Sequence, residues 1–156
     1  MRKILPIVAV ALAALTITSL SPAAAHNAKR SVFTITTKTI DETPADHTKP
    51  PKLGDTNVIT EDVYRDGKKV GTSDISCTIV RLDKAADFFA MECLNTTALS
   101  GGQISTQGYV TSDEEEQVPF KQAITGGTGA YEGIRGQLTI DDRRDGPAHL
   151  TFDLLR

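Results

Sequence analysis

Three groupings of residues in this chain have types and spacing that could do chemistry: a glycine run, a pair of cysteines and an acidic cluster. The run Ala123-Ile124-Thr125-Gly126-Gly127-Thr128-Gly129-Ala130-Tyr131-Glu132-Gly133-Ile134-Arg135-Gly136-Gln137-Leu138 carries Gly126, Gly127, Gly129, Gly133 and Gly136. A phosphate cradle would need Lys and Ser or Thr after the last glycine, and a dinucleotide site would need a helix whose N-terminus meets the pyrophosphate. Neither follows Gly129, and no helix-length apolar periodicity appears there. The run therefore reads as a tight corner between two strands, where glycine allows close backbone approach.

The cysteines are Cys77 and Cys93. The stretches Ile75-Ser76-Cys77-Thr78-Ile79-Val80-Arg81-Leu82 and Phe88-Phe89-Ala90-Met91-Glu92-Cys93-Leu94 are both strand-like, and Asp83-Lys84-Ala85-Ala86-Asp87 joins them. A hairpin symmetric about Ala85 sets Cys77 opposite Cys93, and directly opposed residues of an antiparallel pair can bridge with little distortion. Free thiols are the alternative. No histidine stands at ligand spacing from them, which argues against a metal site.

The acidic cluster Asp113-Glu114-Glu115-Glu116 is read as a solvated loop, with a cation site as the lesser reading. His47 lies among prolines, His149 is remote from it, and His26 is near the start, so no histidine pair forms. There is no Gly-x-Ser-x-Gly elbow. Asn95-Thr96-Thr97 is a formal glycosylation sequon. Asp141, Asp142 and Asp145 fall at a hairpin turn, where aspartate commonly serves the backbone.

The elements that position these residues follow an apparent address. Arg2 and Lys3 precede an apolar stretch over residues 4–20, and Ala23-Ala24-Ala25 provides a small-residue cleavage site, so residues 1–25 read as a signal peptide and the protein as secreted. Removing 25 of the 156 residues leaves 131, enough for one core and one domain. Losing Arg2 and Lys3 also moves the formal charge from −3 to −5, which argues against nucleic acid as a partner. No second apolar span follows, so no membrane association is expected after cleavage.

Residues 26–31 read as a disordered tail and 32–156 as the domain. Turn signals divide that domain into strands at 32–40, 57–64, 69–82, 88–94, 103–111, 118–125, 137–142 and 148–155, with Asp66-Gly67 the strongest hairpin signal and 41–54 a proline-bearing loop. Eight strands with almost no helix predict an all-β barrel or sandwich, and closure into a barrel would remove exposed edges.

Leu53-Gly54-Asp55, Tyr64, Asp66-Gly67-Lys68-Lys69, Gly71, Cys77, Ile104-Ser105-Thr106-Gln107-Gly108-Tyr109 and the glycine run occur in the order and rough spacing of the allene oxide cyclases, which the chain resembles over about residues 53–140. The glycine run also resembles that of the dirigent proteins. The resemblance implies an eight-stranded antiparallel β-barrel of the calycin type with an elongated apolar cavity. In that family an unsaturated fatty-acid epoxide cyclises inside the barrel while the protein fixes its conformation. It implies no cofactor, and since related barrels are often oligomers, it allows a homo-oligomer.

Residue by residue, the family's cavity cysteine falls on Cys77, and the asparagine that helps hold its oxygen-binding water falls on Glu61. The tyrosine after its Gly-Pro falls on Tyr109, although the proline is absent here. The glutamate and asparagine of the family's first strand have no counterpart in Phe33-Thr34-Ile35-Thr36-Thr37-Lys38-Thr39. If Cys77 points inward as the resemblance implies, alternation places Ile59, Glu61, Val63, Ile75, Ile79, Phe89, Met91 and Cys93 around the lumen. Glu61 and Tyr109 are then its main polar groups and the candidate catalytic pair, the alternatives being a Glu61 solvated at the mouth and a Tyr109 that is a core aromatic. The expected activity is binding of a small apolar molecule, with templated cyclisation or isomerisation. A carrier without chemistry, or a dirigent-like guide, is the alternative.

Overall fold

The computed structural model describes residues 29–43, 50–85, 88–112, 119–142 and 146–156. The expected signal peptide, His26, His47, the acidic cluster and Asp145 lie outside the described residues. Eight strands run in chain order: β1 Arg30–Glu42, β2 Thr56–Arg65, β3 Lys68–Asp83, β4 Phe88–Leu99, β5 Gly102–Thr111, β6 Phe120–Gly127, β7 Arg135–Asp141 and β8 His149–Leu155. Each pairs antiparallel with its sequence neighbour and β8 pairs with β1, so the sheet is a closed up-and-down barrel. Threonine and other β-branched residues are frequent in β1 and β2, as a pleated, half-buried surface favours.

Several strand limits differ from the sequence expectation, most of all the end of β4, at Leu99 where residue 94 is expected, and both ends of β1. Lys29 exchanges backbone hydrogen bonds with Arg156, and β1 starts at Arg30, whose guanidinium forms a two-pronged ion pair with Asp153. Residues 29–31 therefore belong to the barrel seam and not to a tail, because the last residues of β8 need a partner. β1 also runs on to Glu42, past the expected loop start at 41. The Asp66-Gly67 turn forms as expected, with both residues at positive φ, the conformation of a tight two-residue hairpin.

The interior is divided along the barrel axis. One end holds Lys29, Arg156 and the β2–β3, β4–β5 and β6–β7 turns, and it is packed solid. Ile35, Val63, Ile104, Ile124, Ile134, Leu138, Leu150, Phe152 and Leu154 form that core. Phe33 stacks on Phe152 with ring centroids 5.0 Å apart, and the Arg65 guanidinium covers Phe33 at 4.5 Å. The glycine corner is the lid of this end. Gly126 and Gly127 finish β6, a 3-10 turn spans Gly129–Tyr131, and Ile134 and Tyr131 pack onto the core. Gly136 in β7 has φ 136°, and a Cβ there would come 2.0 Å from the Asp153 carbonyl oxygen, so only glycine lets β7 and β8 meet. At the opposite end the described residues leave a space inside the barrel.

Candidate functional site

The open half of the barrel encloses a cavity of about 690 Å³. Its apolar wall is Ile59 of β2, Ile75 of β3, Phe120 of β6, Ile140 of β7 and the disulfide Cys77–Cys93. The bridge joins directly opposed residues of β3 and β4, the pairing the hairpin arithmetic gives. Closer to the turn a bulge at Val80 shifts the register by one, so that Arg81 stands opposite Ala90.

Beneath the cavity lies a belt of buried polar side chains. Thr37, Glu61 and Gln122 border the space, while Ser73, Asn95, Thr97 and Thr106 are buried behind them. The Ser73 hydroxyl donates to Asn95 Oδ1 at 3.0 Å, and the Thr106 hydroxyl donates to Gln122 Oε1 at 2.5 Å. Asn95, the first residue of the sequon, is thus an interior residue of β4 and closed to glycosylation in the folded protein.

Glu61 is the ionisable group of this belt, 6% exposed, with its Oε2 lacking a hydrogen-bond partner among the described residues. Burial pushes its pKa above the usual carboxylate range, and the nearby negative charge of Asp142 adds to the rise. The Thr37 hydroxyl pulls the other way by hydrogen bonding to the carboxylate, and the Ser73 hydroxyl does so only when its one proton turns from Asn95 to Glu61. Asp142 lies at the mouth, and its pKa is raised by partial burial and by the charges of Asp141 and Glu42. Glu42 borders the cavity as well and accepts a 3.0 Å hydrogen bond from Asn57 Nδ2. A buried carboxyl with a free oxygen facing an apolar space can donate or accept a proton, or stabilise positive charge.

The expected lining is only partly assembled. Ile59, Glu61, Ile75, Cys77 and Cys93 border the cavity. Val63 faces inward but belongs to the packed core below the polar belt. Ile79 is buried without bordering the cavity, since its backbone pairs with Gly54 and Asp55 beyond the end of β2. Phe89 and Met91 are half-buried farther along β4 and do not border the space either.

Tyr109 does not face the lumen. It is 54% exposed, opposite Glu92 on the outer surface. The cause is parity: Gly108 stands opposite inward-facing Cys93, so the next residue must point out. Without the family's proline between glycine and tyrosine, the tyrosine moves by one place, and a one-residue slip exchanges the two faces of a strand.

Asp142, Glu42, Phe120, Gln122 and Ile140 were absent from the expected site. Extending the alternation of Leu138 and Ile140 by one step reaches Asp142, and Phe120 and Gln122 follow from Ile124 in the same way. Glu42 had no such signal, because a bulge at Ile40 changes the parity of β1 and turns Glu42 inward opposite Ile59.

Comparison with curated proteins gives no match. Among solved structures, one of a pyocyanin demethylase is 26% identical, with a TM-score of 0.68 over 80% of this chain and 99% of the other. The exo-specific intermolecular Diels-Alderase AbnU is 16% identical, with a TM-score of 0.62 over 82% and 99%. The pterocarpan synthase dirigent protein GePTS1 is 20% identical, with a TM-score of 0.55 over 91% and 97%. At these lower identities the last two share the fold. Residues 31–148 match the family model described as allene oxide cyclase barrel like domain, and the chain belongs to that family.

Proposed function

We propose that the open half of the barrel takes one small, largely apolar molecule, and that Glu61 acts on it as it is held in a conformation that cyclises or isomerises. The observation that carries this is the pairing of a 690 Å³ space with a buried carboxyl oxygen that has no partner among the described residues. That volume lies within the range of small-molecule sites, which are mostly apolar with a few converging polar groups. Fixing a flexible molecule in a dry, shaped space removes part of an entropic barrier. A carboxyl whose pKa is raised by burial keeps its proton to higher pH than an exposed one, as a general acid needs. Tyr109, on the outer face, has no part in it.

The relatives support the general idea of chemistry on a bound small molecule. One is named for demethylating pyocyanin, and the fold is shared with a Diels-Alderase and a dirigent protein. Export is part of the proposal: the N-terminal residues 1–25 fit a signal peptide, and a disulfide is suited to an oxidising compartment.

Native mass spectrometry of the protein from its own culture medium tests the reading. A retained small molecule identifies the ligand class, and the same spectrum gives the oligomeric state. If that molecule is converted by the wild type and conversion by Glu61→Gln falls about a hundredfold or more, the enzyme reading holds. Release of the molecule unchanged makes the protein a carrier. A bare protein that also fails to turn over polyene or epoxide substrates rejects both.

A further inference from the structure

We infer that the occupant of the cavity carries a positive charge on an otherwise apolar body, and is not a carboxylate; this rests on the small-molecule reading above. Three carboxyl side chains border the cavity: Glu61 on its floor, and Glu42 and Asp142 at its mouth. Among the described bordering residues the one cationic type is Lys38. Lys38 stands opposite Asp62, and both alternate away from the inward pair Thr39 and Glu61, so its ammonium belongs to the outer face. Among the described residues, the inward side chains of this space are therefore acidic or neutral.

Glu61 distinguishes this site from an ordinary acidic rim. It is 6% exposed, it borders the cavity, and its Oε2 has no partner. A charged acceptor left so costs free energy unless something enters to meet it. An anionic ligand would add repulsion where the dielectric is low and charges are felt strongly. A cation would satisfy the oxygen electrostatically.

The walls narrow the class further. Ile59, Ile75, Ile140 and the disulfide cannot solvate a compact ammonium, whereas an alkylated or delocalised cation sheds water at less cost. Phe120 adds an aromatic ring that can take a cation on its face. The described histidine, cysteine and acidic residues form no cluster able to hold a metal ion, so the charge fits an organic cation better than a bound metal.

The test uses three probes of one shape: trimethyl(2-naphthylmethyl)ammonium, its neutral isostere 2-neopentylnaphthalene, and 2-naphthaleneacetate. The chain has no tryptophan, so naphthalene emission reports binding directly. The ammonium probe should bind about tenfold or more tighter than the neutral one, the size of one charge-assisted contact, with the acetate weakest. Glu61→Gln should remove most of that gap, Glu42→Gln with Asp142→Asn should reduce it, and Tyr109→Phe should leave it unchanged. Far-UV circular dichroism of Glu61→Gln separates loss of the contact from loss of the fold. Equal binding of ammonium and neutral probes, tightest binding of the acetate, or a gap that persists in Glu61→Gln overturns the inference while leaving the cavity reading in place. Absence of saturable binding by all three overturns both.

Discussion

Replacing Glu61 by glutamine should stabilise the protein at neutral pH and do nothing at low pH. Burial raises the pKa of Glu61, so the native state keeps the proton to higher pH than the unfolded chain does. A group of this kind contributes full stability below its unfolded pKa, about 4.3 for glutamate, and that contribution is lost as pH rises through the raised native value. As pH rises past the unfolded value, the native protein therefore either keeps a proton that the unfolded chain has given up or holds a carboxylate against its preference, with Oε2 unpartnered among the described residues. A buried, unpaired acceptor costs about 1–3 kcal/mol, more if charged, and the Thr37 and Ser73 hydroxyls offset part of this. Glutamine keeps the shape, and those hydroxyls can rotate to accept from its amide. The expected gain is about 1–3 kcal/mol at neutral pH, or roughly 3–10 °C in Tm for a domain of this size. Urea unfolding of both proteins across the acid range and at neutral pH should give curves that coincide at low pH and separate as pH rises. Asp142, shifted in the same direction, remains in both and does not create the difference. A variant equal to or weaker than wild type at neutral pH would show the carboxylate to be satisfied, and the reasoning would fail.

Three other outcomes follow from the geometry. Removing the bridge with Cys77→Ala and Cys93→Ala, which are 16 residues apart, should cost about 3 kcal/mol in urea unfolding, and no loss would mean that the bridge does not constrain the unfolded chain. Gly136→Ala should cost about 3 kcal/mol or more, since its φ is 136° and the Asp153 carbonyl oxygen occupies the space. Gly126→Ala, with open space and an ordinary φ, should stay within about 1 kcal/mol, so equal effects at the two glycines would contradict the close β7–β8 approach. Tyr109→Phe should change stability by less than about 0.5 kcal/mol, as expected of an outward side chain, and should leave turnover untouched.

Strand number was legible because turn residues punctuate period-two stretches, whereas closure into a barrel, which those signals leave open against a sandwich, was legible only through the family resemblance that the glycine run carries. The Cys77–Cys93 pairing was legible for a local reason: a hairpin with a short connection has few registers. The interior of the site was harder to read. Alternation assigns faces only while no residue is inserted or lost, and the bulge at Ile40 and the missing residue before Tyr109 each reverse a face. Alternation is also blind to depth along the axis. Val63 and Glu61 share a face of β2, yet one packs in the closed core and the other borders the cavity. That division depends on the bulk of Phe152, Leu138 and Leu150 on distant strands, which no local pattern around Glu61 contains.

The central claim, that a small molecule occupies the open half above Glu61, is tested most directly by methyl NMR with isoleucine-labelled protein. Titration with whichever naphthyl probe binds most tightly should shift the methyl signals of Ile59, Ile75 and Ile140, which border the cavity. Those of Ile104 and Ile134, in the packed end, should remain in place. Shifts confined to the packed-end isoleucines or to exposed Ile40, with Ile59 and Ile75 unmoved at saturation, would contradict it.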